Sequence, residues 1–233
     1  MKYLFYLSLL MSSVLHATTY TIKLGNTPVK IIKQIGRGKT FIHLHENEIT
    51  ALAAAKRFIR KEGGTLITLR HSGKRNIVFY LKGVRYEFDP NRIFTDQGIK
   101  KTLKQFGHYS PAAHHEVKQF AVKIIKLLPH KGKVIAVHNN RDYSIQEYFP
   151  RHSLATDVKA LHYRPETNYR NFYFVTKKED YLRLKKLKYN VALQAANAQN
   201  DGSLSYYLAK KNYINIESAY GQLKTQLKMI RSA

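Results

Sequence analysis

The chain has 233 residues, no cysteine, and 40 Lys+Arg against 15 Asp+Glu, a formal charge of +25. The lack of cysteine excludes disulfides and thiolate metal ligands, and the length suits one domain with a sizeable core. A field this positive draws polyanions: nucleic acid, anionic lipid head groups or an acidic cell-wall polymer. Residues 1–17 read as an export signal, with Lys2 as the positive charge, an apolar run from Tyr3 to Leu10 and a small residue at Ala17. That run is too short to span a bilayer, and no later stretch is long and apolar enough to do so. The expectation is an exported domain over 18–233, periplasmic or secreted, carrying +24 once Lys2 is removed.

Taken in chain order, 18–35 reads as strand, turn at Gly25-Asn26-Thr27-Pro28, and strand. A strand over 39–45 leads into a helix over 50–61, capped by Thr50 and stopped by Gly63-Gly64. Strands follow at 65–70, 76–81 and 84–88, the last running into an Asp89-Pro90 turn. Helices over 97–106 and 112–128 precede a short apolar strand over 133–138. Residues 139–170 are polar and irregular, too long for a structureless loop, so a functional insertion or mobile cover is expected there. Then come a strand over 172–176, a helix over 178–186, a strand over 190–195, a helix or turn over 206–211, a strand over 213–217 and a terminal helix over 220–230. This alternation predicts a single α/β domain: a mixed, mainly parallel sheet with helices on both faces. In such folds the functional groups gather at strand ends.

Four motifs fall at those ends. His45 and Glu48 lie three apart at a strand exit, where imidazole and carboxylate can turn toward one cation such as zinc. His43 and Glu46 share that spacing. Asp89-Pro90-Asn91-Arg92 offers a guanidinium fork and an amide that match a carboxylate. His138 ends an apolar strand and can complete a three-ligand set. Glu217 ends another, where an apolar approach raises a carboxylate's pKa toward the range of a general base and acid. Each motif alone is more often a solvated turn, a surface histidine or a lysine's partner.

The order of the four resembles the metallocarboxypeptidase superfamily, which includes carboxypeptidase A and the succinylglutamate desuccinylases. His45-Glu46-Asn47-Glu48 is similar to the desuccinylase form His-Gly-Asn-Glu, which favours His45 and Glu48 over His43 and Glu46. The resemblance runs from about Thr40 to Met229 and implies a metallocarboxypeptidase-like fold. It implies Zn2+ held by His45, Glu48 and His138, a substrate carboxylate held by Asn91 and Arg92, and Glu217 as general base and acid. The family's oxyanion arginine falls to Arg85 or Arg75, with Arg85 preferred for its place just before the Asn-Arg pair. Its mobile substrate-binding tyrosine falls near 201–207, with Tyr207 preferred over Tyr206. The gap from Glu48 to Asn91 is shorter than in digestive carboxypeptidases.

The expected activity is hydrolysis of a peptide or amide bond next to a free carboxylate, with peptidoglycan stem peptides as substrate and anionic envelope polymers as surroundings. The competing expectation is a non-catalytic, basic, envelope-binding protein on the same fold. No motif for specific nucleic-acid recognition is present.

Overall fold

The computed structural model describes residues 16–233. The export signal read over 1–17 therefore lies almost wholly outside the described residues; only His16 and Ala17 are seen, where they begin the first strand. Strands β1 (His16–Leu24) and β2 (Thr27–Ile35) form a hairpin, followed by β3 (Thr40–His43), α1 (Ile49–Glu62) and β4 (Thr65–Arg70). The hairpin β5 (Ile77–Leu81) and β6 (Val84–Phe88) precedes α2 (Asp96–Phe106), α3 (Pro111–Leu127) and β7 (Val134–Asn140). After β8 (Val158–His162) come β9 (Phe172–Val175), α4 (Lys178–Lys186), β10 (Asn190–Gln194), α5 (Leu204–Tyr207), β11 (Tyr213–Ala219) and α6 (Leu223–Ser232).

Nine strands form one sheet in the order β1-β2-β4-β3-β7-β11-β9-β10-β8. Its centre, β4-β3-β7-β11, is parallel, and β1-β2 and β8 close the edges in antiparallel pairings. The central strands are apolar on both sides because both faces are covered: Val134 to Val137 are all buried. Alternation then deals the residues to two cores. Phe41, Ile135, Ile214 and Tyr173 pack against α1, α4 and α6. Ile42, Ala136 and Tyr213 pack toward α2, α3 and the β5–β6 hairpin. The α/β architecture with helices on both faces is thus the one expected. Among the described residues no helix is long and apolar enough to cross a membrane.

Local chemistry sets the helix starts. Thr95 and Ser110 accept N–H bonds from Gly98 and Ala113, and Pro111 occupies the first turn of α3. Thr50 is not the cap of α1: the helix starts one residue earlier with Glu48 at the cap position, and the Thr50 hydroxyl accepts instead from the Gly221 N–H. The segment 139–170 is ordered rather than structureless. It makes two 3-10 turns, Ile145–Tyr148 and Ala155–Asp157, and the edge strand β8. Its Ile145 and Tyr148 pack on Phe172, Phe174 and Ala192 of the sheet.

Candidate metal centre and active site

His45 lies two residues beyond β3, His138 near the end of β7, and Glu217 near the end of β11. All three strands are parallel, so the three residues meet at one carboxyl edge of the sheet, with Glu217 directly beside His138 in the β11–β7 register. A tight turn closed by the Glu48 N–H donating to the His45 carbonyl (3.0 Å) brings Glu48 back beside His45. Glu48 stands at the cap position of α1 without capping it. Asn139 caps the helix from outside, its Oδ1 accepting from the Ala51 N–H at 3.0 Å. Such a cap is worth about 1 kcal/mol, and it leaves the Glu48 carboxylate free to face the histidines.

His45, Glu48 and His138 are all buried and each offers one ligand atom, the three lying within 4.8 Å of one another. The two Nδ1 atoms are 3.2 Å apart, and each is 2.9 Å from an oxygen of Glu48. Two ring nitrogens and a carboxylate converging so closely fit the donor set of a tetrahedral zinc site, whose ligand atoms stand roughly 3.3 Å apart for Zn–N bonds of about 2.0–2.1 Å. Asp89 supports the fit: its Oδ1 lies 2.7 Å from His45 Nε2 and accepts that ring's N–H, which turns Nδ1 toward the cluster.

Burial alone would lower the pKa of His45, but the Asp89 and Glu48 carboxylates outweigh it and push it up to about 9. Burial likewise raises Glu48, yet His138 and His45 hold it well below the usual carboxylate range. A cation must therefore displace a proton from His45. Zinc affinity is expected to rise about tenfold per pH unit between roughly pH 6 and 8, measurable by competition with a chromophoric chelator. The sign for folding follows from the raised pKa. In the metal-free protein the His45 contribution is complete below 6.5 and is lost as pH rises through about 9.

The histidine two residues earlier has another task. His43 is buried with Nε2 donating to the Glu48 carbonyl and Nδ1 3.0 Å from the Thr68 hydroxyl; burial pushes its pKa down to about 4, so it is a neutral internal strut. Glu46 accepts from the His71 and Gly73 N–H groups at 2.6 and 2.8 Å and pairs with Arg70. It thereby pins the β4–β5 loop, and that loop delivers Arg75 to Glu48 (2.8 Å) and Asp89 (3.4 Å). The arginine beside the cluster is thus Arg75 and not Arg85. Arg85 sits on the exposed side of β6, paired with Glu87, because Tyr86 and Phe88 take the inward positions of that strand.

The cluster opens into a cavity of about 780 Å³ that also receives Glu217, Asn91, Arg92 and Arg75. Glu217 is buried, and both its oxygens accept amide N–H bonds, from Asn140 at 3.0 Å and Asn215 at 3.3 Å. Burial pushes its pKa up, nearby Glu48 adds to that, and His138 opposes it. Asn91 and Arg92 are placed by a close backbone approach. A Cβ on Gly98 would meet Gly202 Cα at 2.3 Å, Gly202 has φ +75°, and Leu204 N–H donates to Asn91 Oδ1 at 3.1 Å. With its carbonyl spent on that lock, Asn91 has only its amide NH2 for a ligand. The Arg92 side chain keeps 39% of its surface exposed and lies 3.6 Å from Asp201. Of the paired tyrosines, Tyr206 lines the cavity; Tyr207, preferred from sequence, lies beside Phe94 and is 40% exposed, because adjacent positions in a helical turn face different directions. Asp89, Asn139 and Asn140 are site residues to which sequence reasoning assigned no role, and Arg75 was the less favoured of the two arginines. The signal for Asp89 was its place at the head of Asp-Pro-Asn-Arg.

Comparison with known proteins gives fold-level likenesses only. No family model matches, and no curated protein matches at a meaningful level. Among solved structures, the gene product Atu2144 from Agrobacterium tumefaciens aligns with a TM-score of 0.47 at 12% identity, covering 85% of this chain and 89% of that one. Bovine thrombin-activatable fibrinolysis inhibitor, solved in complex with tick carboxypeptidase inhibitor, aligns with a TM-score of 0.44 at 13% identity, covering 92% of this chain and 87% of that one. At these values neither likeness bears on the chemistry of the site, which rests on the geometry above.

Proposed function

We propose that this chain is a zinc-dependent hydrolase that cleaves a peptide or amide bond next to a free carboxylate. The observation that carries the reading is one cavity holding a buried three-donor cluster, a buried glutamate of raised pKa and a partly exposed arginine. His45, Glu48 and His138 would hold the ion, which when bound supplies Lewis acidity toward a carbonyl and a lowered pKa for water. Asp89 fixes the His45 tautomer. Arg92, with the Asn91 amide, binds the substrate carboxylate and sets which bond lies over the cluster. Arg75 supplies positive charge where the carbonyl oxygen becomes negative. Glu217 takes the proton of the attacking water and passes it to the leaving nitrogen, a role served by the pKa that burial raises. Tyr206 takes the substrate-facing position first given to Tyr207.

The export signal read in the sequence and the charge of +25 extend the proposal to peptidoglycan stem peptides as substrate and anionic envelope polymers as surroundings. Digestion of isolated muropeptides by zinc-loaded protein tests that extension: an unchanged muropeptide profile removes this substrate. The hydrolase reading is tested on N-acylated dipeptides with free and amidated C-termini. The free acids are expected to be cut and the amides spared, and Arg92→Ala is expected to raise KM on the acids roughly tenfold to a hundredfold. Equal cutting of acids and amides would remove the carboxylate requirement. A basic envelope-binding protein without activity, the reading favoured by charge alone, would cut neither.

A further inference from the structure

We propose that Arg141 and Arg170 form a second anion subsite, which takes a carboxylate on the acyl side of the scissile bond. The proposal rests on the hydrolase reading and names the substrates that site selects: peptides with an acidic residue ahead of the bond that is cut.

Arg141 follows β7 directly, three residues beyond His138, and lines both the catalytic cavity and an adjoining open groove of about 610 Å³. Its guanidinium stands 4.0 Å from the ring centroid of Tyr220. Tyr220 is itself held by its N–H donating to the Asn140 carbonyl at 2.7 Å. Stacking on an aromatic face restrains the planar cation and leaves its edge N–H donors available for a carboxylate. Arg170 lines the same groove and donates from Nη1 to the Arg141 carbonyl, while its backbone N–H donates to Asn168 Oδ1 at 3.0 Å. The two arginines are therefore tied to each other through backbone and not merely near neighbours on a basic surface.

Their charges are also unspent. Arg75, Arg92 and Arg164 each pair with a carboxylate; among the described residues Arg141 and Arg170 pair with none. Asp142 is the one acid among the residues lining the groove, against two arginines, and Ser144, Thr167 and Asn168 add neutral hydrogen-bonding groups. Arg92 comes from the loop between β6 and α2, whereas Arg141 follows the end of β7, so these two of the cavity's cations stand on different elements. With Arg92 assigned to the carboxylate of the leaving residue and Arg75 to the carbonyl oxygen, Arg141 is the arginine of the cavity left for a charge on the acyl side.

Isothermal titration of the full chain, zinc-loaded and carrying Glu217→Gln to prevent turnover, tests this with two peptide pairs: acetyl-Glu-Ala-Ala against acetyl-Gln-Ala-Ala, and acetyl-Ala-Glu-Ala against acetyl-Ala-Gln-Ala. One Glu peptide is expected to bind about tenfold tighter than its Gln twin. Adding Arg141→Gln and Arg170→Gln is expected to bring that ratio to about one, with the melting temperature recorded to show that the variant is folded. No Glu preference in the parent, or no binding of any peptide, overturns the subsite. A preference that survives in the double variant and fades only with salt assigns it to the overall charge and overturns it too. Turnover by the chain with Glu217 intact is scored separately. A preference without turnover sinks the hydrolase reading and keeps the subsite; turnover without preference does the reverse.

Discussion

Glu217→Gln is expected to lower kcat about 10²- to 10⁴-fold while leaving bound zinc unchanged. The substitution keeps the size of the side chain and one carbonyl oxygen, so one of the amide bonds from Asn140 and Asn215 can persist. It removes the only function that needs a carboxylate, the taking and giving of a proton. The pH profile gives a second readout. Burial and the proximity of Glu48 raise the Glu217 pKa above 4.5, and activity requires its ionised form. The acid limb of kcat/KM should therefore report the Glu217 ionisation, with activity falling as pH drops through it and the limb lost in Glu217→Gln. An equal loss of zinc and activity in Glu217→Gln would show that the residue supports the metal instead. Activity retained within a few-fold would end its assignment as the base.

Zinc is expected to raise the melting temperature of the wild-type chain by on the order of 10 °C at a thousandfold excess over Kd, because an ion bound only by the folded state adds about 4 kcal/mol. The gain should vanish in His45→Ala/His138→Ala. That double variant strands the Glu48 and Asp89 carboxylates in the interior with Arg75 as their remaining close cation, at a cost of about 3–5 kcal/mol. His138→Gln, which keeps volume and polarity, serves as the variant that folds. It should melt near the metal-free wild type and shift little with zinc. A thermal shift of equal size in wild type and His138→Gln would place the zinc elsewhere.

The parts of the site carried by strand ends were legible in the sequence. His45, His138 and Glu217 each follow an apolar run, with Glu48 one tight turn beyond His45, and parallel strands bring such positions to one edge whatever the connections between them. The loop-borne parts were legible only in the Asn91-Arg92 pair; the choice of Arg75 over Arg85 was not. Arg75 reaches the cluster because Glu46, 25 and 27 residues before His71 and Gly73 in the chain, is buried beneath that loop and ties both down. No spacing rule expresses such a contact. Arg85 was a different kind of error, since alternation in β6 already places Tyr86 and Phe88 inward and Arg85 outward. The edge strand β8 was hidden in a polar segment because an edge strand buries little of its surface: Lys159 is exposed and its neighbours only partly covered. The fold class was the easier inference, because alternating strands and helices leave few other architectures for a chain of this length.

The most direct measurement is the metal content of purified wild type beside His138→Gln and His45→Ala/His138→Ala after identical zinc loading and dialysis. The account predicts about one zinc per wild-type chain and little or none in the variants. A folded wild type that retains no zinc, or variants that retain as much as it does, would contradict the metal centre on which the proposed function stands.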